Sequence, residues 1–159
     1  EQVGLRVGLA FAQGLGAALD RPVVGVSTLD ALAASLDAED RPVAAVVDAR
    51  RGQVYARLFA AGAPLGEAQA LPLQEAAKRI ADLGPAVSLI GNGATVLTEA
   101  FPDLAFSQKD DRVAPAPQAL ARLTADRDPV SNPPRPLYLR APDATPPSRL
   151  PGQSRQTAA

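Results

Sequence analysis

VVDARRGQVYARLF, residues 46–59, sets two apolar runs on either side of a polar turn, Asp48-Ala49-Arg50-Arg51-Gly52. In the second run Val54, Ala56 and Leu58 point to one side and Tyr55, Arg57 and Phe59 to the other, the two-residue period of a strand. The first run reaches back to Val43 as VAAVVD. Gly52 can take the positive φ that a tight turn between strands demands, so the stretch predicts an antiparallel hairpin. Asp48 stands at a strand end, where acids often act. No second acid, histidine or cysteine lies near it in sequence, and Arg50 and Arg51 favour its charged, non-basic form. The residues read as a structural turn.

Working downstream, Gly62 to Gly66 makes another turn and residues 67–71 suit a third antiparallel strand. A helix follows over Leu73 to Leu83, ended by Gly84-Pro85. Val87 to Ile90 reads as a strand, Ala94 to Ala100 as a helix and Pro117 to Ala125 as a last short helix. Between the first two of these stands Gly91-Asn92-Gly93, which could cradle a phosphate at a helix start. A tight strand-to-helix turn explains the same pattern equally well. The charge runs Asp37 to Arg41 and Lys109 to Arg112 read as solvated loops. From Asp128 onward prolines crowd in, with Leu137-Tyr138-Leu139 as the one apolar anchor, which predicts an extended surface segment and disorder after about residue 143. Arg135, Arg140, Arg149 and Arg155 in that segment read as a solvated tail.

Upstream, residues 3–19, VGLRVGLAFAQGLGAAL, predict a helix. Val7, Phe11, Leu15 and Ala18 recur at a period of 3.6, and Gly4, Gly8 and Ala12 form a second stripe with almost no side chain. Small residues four apart allow a close helix approach. One expectation is a central helix packed on both sides by its own protein; the other is a helix shared with another subunit. Arg6, Gln13, four glycines and the acidic flank Glu1 set the run apart from a membrane span or signal peptide. Val23 to Val26 predicts a short buried strand, and Ser27-Thr28 caps a helix over 28–36. The polar stretch Ala38 to Pro42 then marks a boundary. The expected organisation is a first lobe over 1–40, a second lobe over 41–128 and a proline-rich segment over 129–159.

Composition narrows the chemistry. The 159 residues carry 16 basic and 17 acidic side chains, a net charge of −1, so no global field draws the chain to nucleic acid or anionic membrane. With no cysteine there is no disulfide framework, and the cytoplasm is the expected compartment. With no histidine there is no Ser-His-Asp arrangement, and the commonest general base and metal ligand are missing. The residues point to no catalytic group, cofactor or metal ligand, and to an α/β chain with one helix suited to a partner.

The order VGLRVGLAFAQGLGAAL, RPVVGVSTLDALA, VVDARRGQVYARLF, LIGNGA, PLYLRAPDA resembles the TsaB family, also called YeaZ, over about residues 3–145. The resemblance implies an actin-like ATPase fold, bilobed and built from ribonuclease-H-like halves. It implies a non-catalytic subunit required for threonylcarbamoyl transfer to the adenosine beside the anticodon, in tRNAs reading codons that start with A. Its implied partners are a catalytic TsaD-like subunit and a TsaE-like ATPase, with a homodimer through an overlapping surface and tRNA met only through the complex. The metal of the transferase is held by histidines, which this chain lacks. The expected partner interface is Gly4, Leu5, Gly8, Leu9, Ala12 and Gln13. Family members carry a half-lobe ending in GPGSFTG before LR; here Glu1-Gln2-Val3-Gly4 stand at SFTG, so the chain reads as a fragment with an incomplete first lobe. An actin-fold sugar or acid kinase fragment is the alternative.

Overall fold

The computed structural model describes residues 2–36, 40–125 and 127–140. The hairpin forms as expected: β1 (Val43–Asp48) and β2 (Gln53–Ala60) pair antiparallel from Val43 opposite Phe59 to Asp48 opposite Val54. Four successive residues of β1, Val43 to Val46, are buried, as befits a central strand covered on both faces. β3 (Ala63–Pro64) and β4 (Gln69–Pro72) both pair antiparallel with β2, at its two ends. α3 (Leu73–Asp82) then leads to β5 (Ser88–Ile90), which lies parallel to β1 on its other side. α4 (Gly93–Ala100) leads on to β6 (Gln108–Asp110), parallel to β5, and α5 (Pro117–Ala125) closes the regular structure. The sheet runs β3-β2-β1-β5-β6, with β4 also on β2.

Each face of this mixed sheet is covered. On one face Ala44, Val46, Val54, Ala56 and Leu89 meet Ala76, Ala77 and Ile80 of α3 and Ala94 and Leu97 of α4. The i, i+1, i+4 spacing in α3 gives a single buried stripe, and Glu75 and Arg79 pair on its outer side. On the other face Val43, Ala45, Phe59 and Ile90 meet Leu29 and Leu32 of α2 (Thr28–Ala33). α2, read from sequence as part of the first lobe, thus lies on the sheet of the second.

Three expectations need correction. Val23–Val26 forms no strand: its backbone bonds outside the sheet, Gly25 N donating to Asn132 O at 2.8 Å. The helix expected over 28–36 ends at Ala33, where Ser35 turns its hydroxyl back onto Ala31 O (2.7 Å) and the chain continues in a turn to Leu36. The run Lys109 to Arg112 is no mere solvated loop, since Gln108–Asp110 is β6. Its main chain pairs with buried β5 while its charged side chains face outward, and composition alone does not reveal such an edge strand.

Asp110 shows what that edge holds. Its carboxylate accepts from Arg112 N (3.1 Å), Nε (2.9 Å) and Nη2 (2.6 Å). The Arg112 side-chain bond outweighs burial and holds the Asp110 carboxyl below its ordinary value. A carboxyl depressed in the folded state stabilises above its unfolded pKa, and that contribution is lost as pH falls through the folded value. Asp110→Asn should cost about 0.5 kcal/mol at neutral pH, and the difference from wild type should vanish below the carboxylate range. Urea titrations at both pH values check this.

α1 (Gln2–Ala18) forms over nearly the expected span and ends at Asp20, φ +51, with Arg21 N bonded to Gly16 O at 2.8 Å. At the other end of the chain residues 133–139 run without regular structure, as expected, and Leu139 packs on the second face of the sheet. The disorder expected after about residue 143, with Arg149 and Arg155, lies outside the described residues, as do residues 37–39 of the first charge run.

Candidate interaction surface

α1 is 17 residues long, about 25 Å at 1.5 Å per residue. Leu9 and Ala12 are half-buried and Gly16 is buried, at i, i+3 and i+7, so this face turns toward the protein. The opposite face is open. Val3 is 74%, Val7 63%, Phe11 72% and Leu15 49% exposed. Among the described residues nothing covers this face. Of the expected interface residues, Gly4, Leu5, Gly8 and Gln13 are exposed, while Leu9 and Ala12 lie on the half-buried side. A Cβ placed at Gly4 or Gly8 would meet nothing within 4 Å, so the folded chain itself does not require glycine there.

Val3, Val7, Phe11 and Leu15 stand beside the small stripe and outside the expected interface list. Their spacing is visible in the sequence, but periodicity cannot tell an inward stripe from an outward one. A contiguous apolar face of this kind marks an interaction surface more often than isolated exposed residues do.

The other candidates resolve as structure. In the hairpin turn Arg50, Arg51 and Gly52 all have positive φ (62°, 54° and 72°). Asp48 stabilises this turn: its Oδ1 accepts from Arg50 N at 2.8 Å, and its own N–H donates to Asn92 Oδ1 at 3.0 Å. Its carboxylate is thus occupied by the turn it begins. Gly91 and Gly93 are demanded by β1, since a Cβ on Gly91 would lie 2.1 Å from Val46 O and one on Gly93 3.0 Å from the backbone of Val46 and Val47. The tight turn accounts for Gly-Asn-Gly.

Beside α2 opens a cleft of about 950 Å³, with Val43 and Phe59 in its floor and Asp30, Arg57, Arg122 and Arg127 around it. Asp30 Oδ1 accepts from Arg57 Nη1 at 2.6 Å, and Arg127 Nη2 lies 3.8 Å from Oδ2. The Arg57 Nε also donates to Gly66 O at 3.0 Å. Asp30 is committed to joining α2 to β2. Among the described residues no group of three or more acidic, histidine or cysteine side chains could hold a metal ion, and no helix is long and apolar enough to cross a membrane.

Comparison with known proteins agrees with this architecture. Residues 2–132 match the family described as TsaD, tRNA N6-adenosine threonylcarbamoyltransferase. An uncharacterized protein of Mycobacterium tuberculosis is 35% identical over 144 residues, 90% of this chain and 61% of the relative. The Bacillus subtilis tRNA threonylcarbamoyladenosine biosynthesis protein TsaB is 43% identical over 56 residues, 35% of this chain and 24% of that protein. Two solved Pseudomonas aeruginosa structures share the fold. One, an uncharacterized protein with similarity to peptidase YEAZ, superposes with a TM-score of 0.69 at 25% identity, covering 88% of this chain and 69% of that one. The other, YeaZ, gives 0.62 at 29% identity, covering 79% and 60%. The chain spans about 61% of the length of the mycobacterial relative. The mixed sheet with its covering helices is a lobe of the actin-like ATPase fold, and the chain belongs to the TsaD/YeaZ family.

Proposed function

We propose that this chain acts as the non-catalytic, TsaB-like scaffold of a tRNA threonylcarbamoyltransferase complex. In this reading α1 docks a TsaD-like catalytic subunit, a TsaE-like ATPase joins the pair, and threonylcarbamoyl is transferred to the adenosine beside the anticodon by the partner. The tRNA meets this chain only through the complex. A homodimer through the same helix competes with the heterodimer.

The observation that carries the proposal is the open apolar face of α1 flanked by Gly4 and Gly8. Two helices can approach closely along such a small-residue flank and bury Val7, Phe11 and Leu15 between them. The absence of histidine from the whole sequence supports a scaffold rather than the metal-bearing transferase.

The test is to mix the chain with the TsaD-like subunit of its own organism and measure mass by light scattering after size exclusion. A one-to-one complex is expected, and Gly8→Leu should weaken it by about tenfold or more, the cost of displacing a close helix contact by a large side chain. Because a Cβ at Gly8 meets nothing in the chain itself and leucine favours a helix over glycine, the melting temperature should not fall. Unchanged association of the variant removes α1 from the interface.

A further inference from the structure

The open face of α1 is useful to a partner only if the helix is held still, and its attachment to the rest of the protein is uneven. Its C-terminal end is packed: Gly16 is buried, and a Cβ there would lie 2.5 Å from Val23 Cγ2. Arg6 stands ten residues away along the helix, about 15 Å from that anchor. There the Arg6 Nε donates to the Tyr138 hydroxyl oxygen at 2.8 Å, and its guanidinium lies 5.6 Å from the centre of the Tyr138 ring.

Tyr138 is itself held by a segment fastened on both sides. Before it, Asn132 O accepts from Gly25 N at 2.8 Å, and Pro133 O sits 2.6 Å from where a Gly25 Cβ would be. That contact accounts for the glycine in VVGVS. After it, Leu139 packs on the apolar face of the sheet under α2, and Arg140 Nη2 donates to Gln53 Oε1 at the start of β2. Between these anchors Pro133, Pro134 and Pro136 fix φ and carry no N–H, so the segment stays extended without a ladder partner and loses little entropy on docking. It is a stiff brace from the sheet to the far half of α1.

We propose that residues 133–140 form a strap that sets the orientation of α1, with Tyr138 as the positioning residue that grips Arg6. The strap thereby prepares the surface that the proposed partner binds; this last step rests on the scaffold reading, whereas the strap itself does not. A ligand surface fixed beforehand spares the partner the cost of ordering it. Tyr138 acts through the hydroxyl acceptor and the ring together. The two variants Tyr138→Phe and Tyr138→Ala separate these: the first keeps the cation–π contact and loses the hydrogen bond, the second loses both.

The experiment is amide hydrogen exchange on the whole chain for wild type, Tyr138→Phe, Tyr138→Ala and Arg6→Ala, followed by association with the TsaD-like subunit. Amides in the N-terminal half of α1 should exchange about tenfold faster in Tyr138→Ala and in Arg6→Ala, and about threefold faster in Tyr138→Phe, from the sizes of the two interactions lost. Combining Arg6→Ala with Tyr138→Ala should add nothing further, because both break one contact. Amides of β1 and β5 should keep wild-type protection. Unchanged exchange in α1 overturns the proposal, and so does an equal loss across β1 and β5, which would make Tyr138 a general stability residue. Faster exchange in α1 with unchanged association upholds the strap and overturns its role in preparing the partner surface.

Discussion

Gly91→Ala should remove a large share of the protein's net stability. At φ +105° Gly91 occupies backbone space that side-chain-bearing residues rarely enter, and a Cβ there would lie 2.1 Å from Val46 O and 3.3 Å from Leu32 Cδ1. Neither neighbour can give way cheaply. Val46 is a buried residue of the central strand, bonded on one side to β2, and Leu32 is the buried side chain that seats α2. The backbone conformation costs about 1–3 kcal/mol and displacement of the packed strand about as much again. A total of about 2–6 kcal/mol is a large share of the net stability of a small domain, about 5–15 kcal/mol. Circular dichroism melts and an amide correlation spectrum check this. A cooperative transition within about 3 °C of wild type would mean that the β5-to-α4 turn can relax. The close approach to β1 would then not be what demands glycine.

Asp30→Ala is the second variant expected to do substantial damage. Asp30 is 15% and Arg57 16% exposed, and their 2.6 Å contact joins α2 to β2 across the second face of the sheet. Removing the carboxylate leaves the Arg57 guanidinium half-buried against Phe59 with Gly66 O as its close acceptor; the Glu67 carboxylate is 3.8 Å away and almost fully exposed. An abandoned, partly buried charge costs about 2–3 kcal/mol, near the lower end of the range for buried pairs because water still reaches the cleft. In a domain of this size that is a fall of roughly 5–10 °C in Tm. Asp30→Asn, which keeps an acceptor, should lose about half as much. Losses below about 0.5 kcal/mol in both would show the pair to be screened like a surface salt bridge.

Both variants bear on the helix proposed to meet a partner. α2 follows the segment that packs against Gly16 of α1, and Gly91 lies against both Val46 of β1 and Leu32 of α2. Damage to α2 therefore reaches α1 through the segment that joins them. Gly8→Leu leaves the sheet alone, and so the three variants separate folding from association.

Local pattern was enough for most of the lobe. The alternation in residues 53–59, the β-branched run before it and the glycine at 52 determined the hairpin, because strand period and turn chemistry act over a few residues. The helices α3, α4 and α5 were legible for the same reason, and the order of motifs carried the family. Positive φ at Arg50 and Arg51 had no such signal, since neither residue type favours that conformation and the hairpin imposes it.

What tertiary structure alone decided were the features that depend on who stands next to whom. Val23–Val26 has the composition of a strand, but Gly25 N pairs with Asn132 O and not with a strand. Gln108–Asp110 has the composition of a loop, yet β5 offers it an edge and it pairs. Gly91 reads as a possible phosphate cradle until Val46 is seen against it. The stripe of Val7, Phe11 and Leu15 was plain in the sequence, while its direction was not: amphipathic spacing records that one face of a helix differs from the other, and only the packing of Leu9, Ala12 and Gly16 determines which face turns to water.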